Sequence, residues 1–402
     1  MIMIVIWSST HRVFSRELNS DPVWNGPPEW AGGVGMMGGA DWAMVVFYML
    51  MVLAVGLGSG FRIPCGNQGK GDGSREDGKD DERDVASEDA REEGREEEGV
   101  RGKGDVGQAS AEEFFLAGRQ TSWWAVGFSL FASNIGSEHF VGLAGSGAQV
   151  GLCVAWGEWL SPLCILLLGW LLVPYYLRTE IYTMPEFLER RYSKALRVYY
   201  AVLLLIMYVL TKVSVTLYSG AIVFQQLLGV NLHTGAGMLV AATGVYATLG
   251  GMKAVIRTEV LQAIVLIIGG VAMAHYSLDA VQGWQGLSRS LPDEKLHLFQ
   301  PMTHAQFPWT GVFFGMPYTS IWYWCTDQNV VQRVLSARSL SEARAGTILA
   351  GYLKILPPFI MVLPGMVAQA LYAEEMAAAA QARILTKLLS MVTLHTANTL
   401  GH

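Results

Sequence analysis

About eight apolar blocks, most of them long enough to cross a bilayer, constrain this chain more than any other feature. They run over residues 42–60, 122–150, 154–177, 197–228, 235–250, 258–277, 307–328 and 343–372. A helix needs roughly 20 largely apolar residues to cross about 30 Å of hydrocarbon. No water is present there to pair a free N–H or C=O, so spans of this kind have to be helical. Composition agrees: 51% of the 402 residues are hydrophobic and 15% are charged, where a soluble domain carries about a quarter. Mean hydropathy is +0.31. The expectation is an all-α integral membrane protein. The amino-terminal run "MIMIVIW" is too short for a signal peptide.

Charge is concentrated in one place. Residues 66–111 hold fifteen acids and eight bases, a net of −7, while the whole chain sums to −6; the rest therefore carries about +1. This stretch has no aromatic residue and almost no aliphatic one. It cannot repay the entropy of ordering and is expected to be a disordered acidic insertion. Basic residues elsewhere alternate between loops: Arg178, Arg190, Arg191, Lys194 and Arg197; then Lys253 and Arg257; then Arg333, Arg338 and Arg344. The loops between them, "GSGAQVG" and "LLGVNLHTG", are uncharged. The positive-inside rule makes the basic loops cytoplasmic and the amino terminus external. Of the four cysteines, Cys153, Cys164 and Cys325 lie in or beside apolar segments and read, with Cys65, as small side chains without metal spacing.

The second block is not a quiet one. "FASNIGSEHFVGLAGSG" (131–147) places Asn134, Ser137, Glu138 and His139 in mid-span, interrupted by small residues. The seventh has its own expected interruption in "FFGMPYTS", at Gly315 and Pro317. Interrupted helices at matching positions of two repeats point to a secondary transporter's midplane site; tight helix packing is the alternative use of such glycines. Glu158 ("VAWGEWLSPL") and Lys354 ("LAGYLKILPPF") also lie inside apolar blocks. An ionised group at that depth costs about 2.5–3.5 kcal/mol on insertion scales and survives beside a partner or a wet cavity. Glu158, Lys354 and Asn134 together offer the donors and acceptors that a hydroxylated neutral ligand requires. Snorkelling of Lys354, or a plain interhelical hydrogen bond for Glu158, are the simpler readings; for His139 a core hydrogen bond weighs equally with substrate contact. Nothing resembling HExxH or a P-loop points to an enzyme or a nucleotide site, and no cofactor or nucleic-acid partner is expected.

"FFLAGRQTSWWAVGFSLFASNIGSEHFVGLAGSG" resembles the opening of the sodium/solute symporter family, in its sodium/glucose cotransporter branch. The likeness continues through "GWLLVPYYLRTEIYTMPEFLERRY", "YATLGGMKAVIRTEVLQ", "WYWCTDQNVVQRVLSA" and "GYLKILPPFIMVLPGM", and Gly229 through Ala254 fits a family signature in full. The resemblance implies a leucine-transporter-type fold of two inverted five-helix repeats. It also implies sodium-coupled uptake of a sugar such as glucose or galactose across the plasma membrane, with sodium as the coupling ion. A symporter for another polyol such as inositol, or a non-transporting truncated chain, are the alternatives. By position, Asn134, Glu158 and Lys354 match sugar hydrogen-bonding residues and His139 a neighbouring one. Tyr323 matches an inner closing aromatic, with Trp324 and Ser320 beside it. Ala132 and Ile135 match carbonyls of the shared sodium site, and Glu259 stands on the sodium exit path in place of aspartate.

The chain also departs from the family pattern. Glu138 replaces a glycine beside the site, and Gly157 a common aromatic. The likeness is expected to fade after Tyr372, leaving out three further core helices that carry sodium-ligating hydroxyls and a sugar-binding glutamine. The expected organisation is an external segment 1–40, an additional first helix 41–62, the cytoplasmic insertion 63–113 and a first five-helix repeat 114–280. An outer loop 281–306, the first two helices of the second repeat 307–372 and a divergent tail 373–402 follow.

Overall fold

A computed structural model describes residues 39–60, 112–179 and 181–374. Nearly all of the expected external segment, most of the acidic insertion and nearly all of the tail fall outside the described residues. Among the described residues every extended element is helical, with only two isolated bridges, Thr121 with Ala337 and Gln300 with Pro308.

The eight apolar blocks map onto nine helices, because the second is split, and a further short helix follows the seventh block. They are α1 (Gly39–Gly60), α2 (Trp123–Asn134), α3 (Ser137–Val150) and α4 (Leu152–Arg178). Next come α5 (194–228), α6 (232–250), α7 (252–280), α8 (311–326), α9 (Gln328–Leu335) and α10 (Leu340–Leu371). The helical run Leu232–Ala280 holds 49 residues, about 74 Å of helix at 1.5 Å per residue, more than two bilayer cores long. Gly251, at φ 55° and ψ −156°, divides it into α6 and α7. Only glycine reaches that conformation freely, and a Cβ there would also stand 2.9 Å from the Phe114 carbonyl oxygen.

The second block breaks where its polar residues stand. Asn134 ends α2, Ile135 (φ −104°, ψ 101°) and Gly136 (φ −111°, ψ −171°) are extended, and Ser137 begins α3. The seventh block does not break at Gly315 and Pro317 as expected. Gly311–Gly315 form a π-helical turn that passes directly into Met316–Thr326, with Gly315 itself in the right-handed helical region. The wider π turn absorbs the missing Pro317 N–H without interrupting the helix. The interruption falls instead at Asp327 (φ −66°, ψ 126°), whose side chain caps α9 by accepting from the Asn329 N–H at 2.9 Å.

Burial separates the periphery from the middle. α5 leaves Val202, Leu205, Ile206, Val209 and Leu210 exposed, whereas Met361, Val362 and Met366 of α10 are fully enclosed. The α10 helix closes on α2 and α3 through glycines: a Cβ on Gly127 would meet Leu349 at 2.7 Å, one on Gly346 would meet Val126 at 2.7 Å, and one on Gly365 would lie 2.0 Å from the Ala144 carbonyl oxygen. Backbone approach of this kind drives helix association where no hydrophobic effect operates between apolar helices.

Candidate functional site

Close packing of α2 against α10 decides what lies at the helix break. Lys354, 1% exposed, sits where the α-helical part of α10 ends, just before the π-helical Pro358–Val362. Its Nζ donates to Glu158 Oε2 of α4 at 2.5 Å and to Asn134 Oδ1 at the end of α2. Nζ also stands 5.3 Å from the ring centroid of buried Trp324 on α8, within reach of a cation–π contact. Four helices therefore converge on one ammonium. The expected triad of Asn134, Glu158 and Lys354 is together, and Trp324 is its fourth member. This burial favours the interior reading of Lys354 over snorkelling: the side chain points into the protein.

Tyr323 is half-buried beside Trp324, the rings edge to face at 5.3 Å. Ser320 lies one helical turn earlier on the same helix, also half-buried. Aromatic rings gather near Glu158. Trp156 packs against Phe299 at 5.3 Å and Phe313 at 5.1 Å, and its indole N–H donates to the Leu298 carbonyl at 2.9 Å.

At the break, the Ala132 carbonyl accepts from the Ile135 N–H at 3.2 Å; a carbonyl oxygen carries two lone pairs. Beside it opens a cavity of about 300 Å³ lined by Ile135, Gly136, Ser137, Thr216, Tyr246 and Gln262 among others. Glu138 folds its carboxylate back over Gly136, where a Cβ would stand 2.3 Å from Glu138 Oε2. The His139 Nδ1 lies 3.8 Å from Glu138 Oε1; the described side-chain contact of His139 is with Glu138 and not with the Lys354 cluster.

Glu259 stands apart from both. Arg333 clamps it in a bidentate pair, Nε to Oε2 at 3.0 Å and Nη2 to Oε1, and the Ser129 hydroxyl donates to Oε2. Arg333 also reaches Asn329 Oδ1 at 2.7 Å and is 4% exposed. The reading of Arg333 as one of the loop charges that set orientation is thus corrected: it is an interior residue joining α9 to α7. Lys212 was also missed. It lies 4.0 Å from buried Asp327 and 5.1 Å from the Tyr323 ring centroid. The criterion that picks out Glu158, a charge within an apolar run, applies equally to Lys212 in "MYVLTKVSV".

An all-helical bundle with a broken helix beside a buried cluster of ionised and amide groups is the build of a membrane transporter. The sodium:solute symporter family model matches residues 114–400, and the chain belongs to that family. The match continues beyond Tyr372, where the likeness was expected to end. Similar curated proteins include sodium/myo-inositol cotransporter 2 of Oryctolagus cuniculus, 44% identical over 284 residues, which cover 66% of this chain and 42% of that one. Sodium/glucose cotransporter 1 of the same species is 40% identical over 287 residues, with 66% and 43% covered. Sodium/myo-inositol cotransporter 2 of Mus musculus is 40% identical over 358 residues, with 85% and 47% covered. The chain thus spans about two-fifths of the length of the first of these relatives. A solved structure of a Na+-coupled sialic acid symporter in a substrate-bound outward-open state superposes with a TM-score of 0.66 at 19% identity, covering 85% of this chain and 63% of that one. The fold is of the leucine-transporter type, and the chain is an integral membrane protein.

Proposed function

We propose that this chain forms the substrate-facing part of a sodium-coupled symporter for a hydroxylated ring, a hexose such as glucose or galactose. The observation that carries this reading is the enclosure of Lys354 between Glu158, Asn134 and Trp324 at the helix break. A ring hydroxyl can donate to the Glu158 carboxylate and accept from the Lys354 ammonium, and the Asn134 amide can do either. Without ligand the three groups satisfy one another; with ligand, hydroxyls take over each partnership. Neither state then leaves a buried charge unpaired, which would cost several kcal/mol. An anionic substrate would meet Glu158, so a neutral ring is favoured.

Sodium is the proposed coupling ion, approached by the carbonyls of Ala132 and Ile135. Two neutral oxygens are fewer than a hard cation takes, so further oxygens have to complete the shell. Glu259 serves as a waypoint only when Arg333 releases it. The chemistry proposed is transport without bond breaking, and Tyr323, Ser320 and His139 act as walls and secondary contacts. A cyclic polyol such as myo-inositol is the second reading, favoured by the relatives named for it.

The test is uptake of labelled glucose, galactose and myo-inositol, with and without a sodium gradient, in cells expressing this chain. Lys354→Ala is run alongside, with surface expression measured for both. Sodium-dependent uptake abolished in Lys354→Ala supports the reading and names the ring. Absence of uptake at good surface expression assigns this chain to a non-transporting form.

A further inference from the structure

Away from the broken helices, α4 and α10 diverge on the outer face of the bundle and leave a groove of about 710 Å³. Leu166, Trp170 and Leu171 of α4 line one wall, and Ile348, Tyr352 and Ile355 of α10 the other. All six are exposed, between 38% and 69%, so the groove opens sideways from the bundle and not into its interior. The two helices are antiparallel here: Gly351 faces Pro162 and Gly169 faces Thr347. Trp170 and Ile348 therefore mark one end of the groove, one helical turn from Arg344.

That end carries charge. The Arg344 guanidinium lies 5.6 Å from the Trp170 ring centroid, and its Nε is buried without a hydrogen-bond partner among the described residues. A buried guanidinium N–H left unpaired is costly, and no carboxylate is described beside it. The same end holds exposed Arg178 at the last turn of α4 and exposed Arg338 just before α10. Apolar walls that face the bilayer, closed at one end by an arginine whose Nε lacks a hydrogen-bond partner among the described residues, fit one kind of molecule: an acyl chain joined to an anionic head group.

We propose that the α4–α10 groove is a binding site for an anionic phospholipid, its acyl chain between Ile348, Tyr352 and Leu166 and its net-negative head group on Arg344. Basic groups at a membrane surface attract anionic lipids in this way, and the guanidinium offers a forked donor set to phosphate oxygens. Trp170 lies beside the guanidinium at this end of the groove, and Arg344 as a whole is only half-buried, so the part of the guanidinium not covered by protein can meet the head group. The site does not depend on transport.

The experiment is native mass spectrometry of the full chain released from micelles doped with matched phosphatidylserine and phosphatidylcholine. Wild type should retain phosphatidylserine about fivefold better, the ratio equivalent to the ~1 kcal/mol that one basic side chain gains at an anionic surface. Arg344→Gln should bring the two lipids level, while Arg338→Gln should leave the preference as in wild type, because the Arg338 Nε is already engaged by the Gln120 carbonyl at 3.0 Å and Arg338 does not line the groove. Ile348→Trp, at a position 39% exposed, should fill the groove and reduce retention of both lipids. Equal retention by wild type, or a preference that survives Arg344→Gln, overturns the proposal. So does displacement of the lipid by excess inorganic phosphate, which would leave a simple anion site. A crosslink from position 348 to a protein helix, from a second copy or another segment, overturns it as well.

Discussion

Lys354 meets an oxygen 196 residues away in sequence and another 220 residues away, and this is where single substitutions act most strongly. Removing the ammonium leaves Glu158 buried at 7% exposure with no cation. Lys354→Ala is expected to lower stability by about 3–5 kcal/mol, the usual result of breaking one side of a buried pair. Removing both charges, as Lys354→Met with Glu158→Gln, should restore much of that loss, because no orphaned charge remains. Thermal unfolding of the detergent-solubilised variants measures both; a double variant no more stable than Lys354→Ala would refute the pairing. Glu259→Gln tests the second buried pair by the same logic. Arg333 would lose its anionic partner but keep Asn329, so a smaller loss of about 1.5–3 kcal/mol is expected, in the range of a charged hydrogen bond.

Helices in this molecule are positioned by glycine. A methyl group at position 365 would stand 2.0 Å from the backbone oxygen of Ala144, and one at 147 would stand 2.5 Å from that of Val362. Backbone cannot swing aside as a side chain does. Gly365→Ala should therefore push α10 off α3 and cost about 1–3 kcal/mol or more, as overpacking does. Gly157→Ala, which meets only a methionine methyl at 4.0 Å, is the matched control and should be neutral. A comparable position lies outside the bundle core. Gly151 joins α3 to α4 at φ +100°, and a Cβ there would lie 2.3 Å from the Lys295 carbonyl oxygen. The loop carrying Lys295 is held in return by its ammonium, which donates to the Ala148 carbonyl at 2.7 Å. Gly151→Ala should release that loop, seen as faster amide exchange over residues 292–298.

Across the whole molecule, orientation is the property most open to test. Ser193, which caps α5 among basic residues, should face the cytoplasm, and Gln285, on the short helix Gly283–Ser290 after α7, should face outside. Single cysteines at these positions in a Cys65→Ser background separate the two sides, since Cys153, Cys164 and Cys325 are buried. A membrane-impermeant maleimide is expected to label position 285 in intact cells and position 193 only after permeabilisation. The reverse pattern would invert the assignment.

Much of this was legible in the sequence for a definite reason. Apolar length and helical hydrogen bonding leave a membrane chain few choices, so the spans, the break at Asn134 to Ser137 and the intramembrane Glu158 and Lys354 follow from composition and position alone. Which groups meet does not follow, because partner choice depends on how helices pack. Arg333 reads as one more loop charge until α9 folds inward and sets it against Glu259, and Lys212 reads as ordinary until Asp327 and Tyr323 surround it. Gly315 and Pro317 look like a break, yet a π turn carries the helix through and the interruption moves to Asp327. Length and apolar composition alone require a bundle of apolar helices with charges that need partners. Helix packing assigns those partners, because close contact between glycine-lined helices, set by sterics over a few ångströms, brings distant residues together.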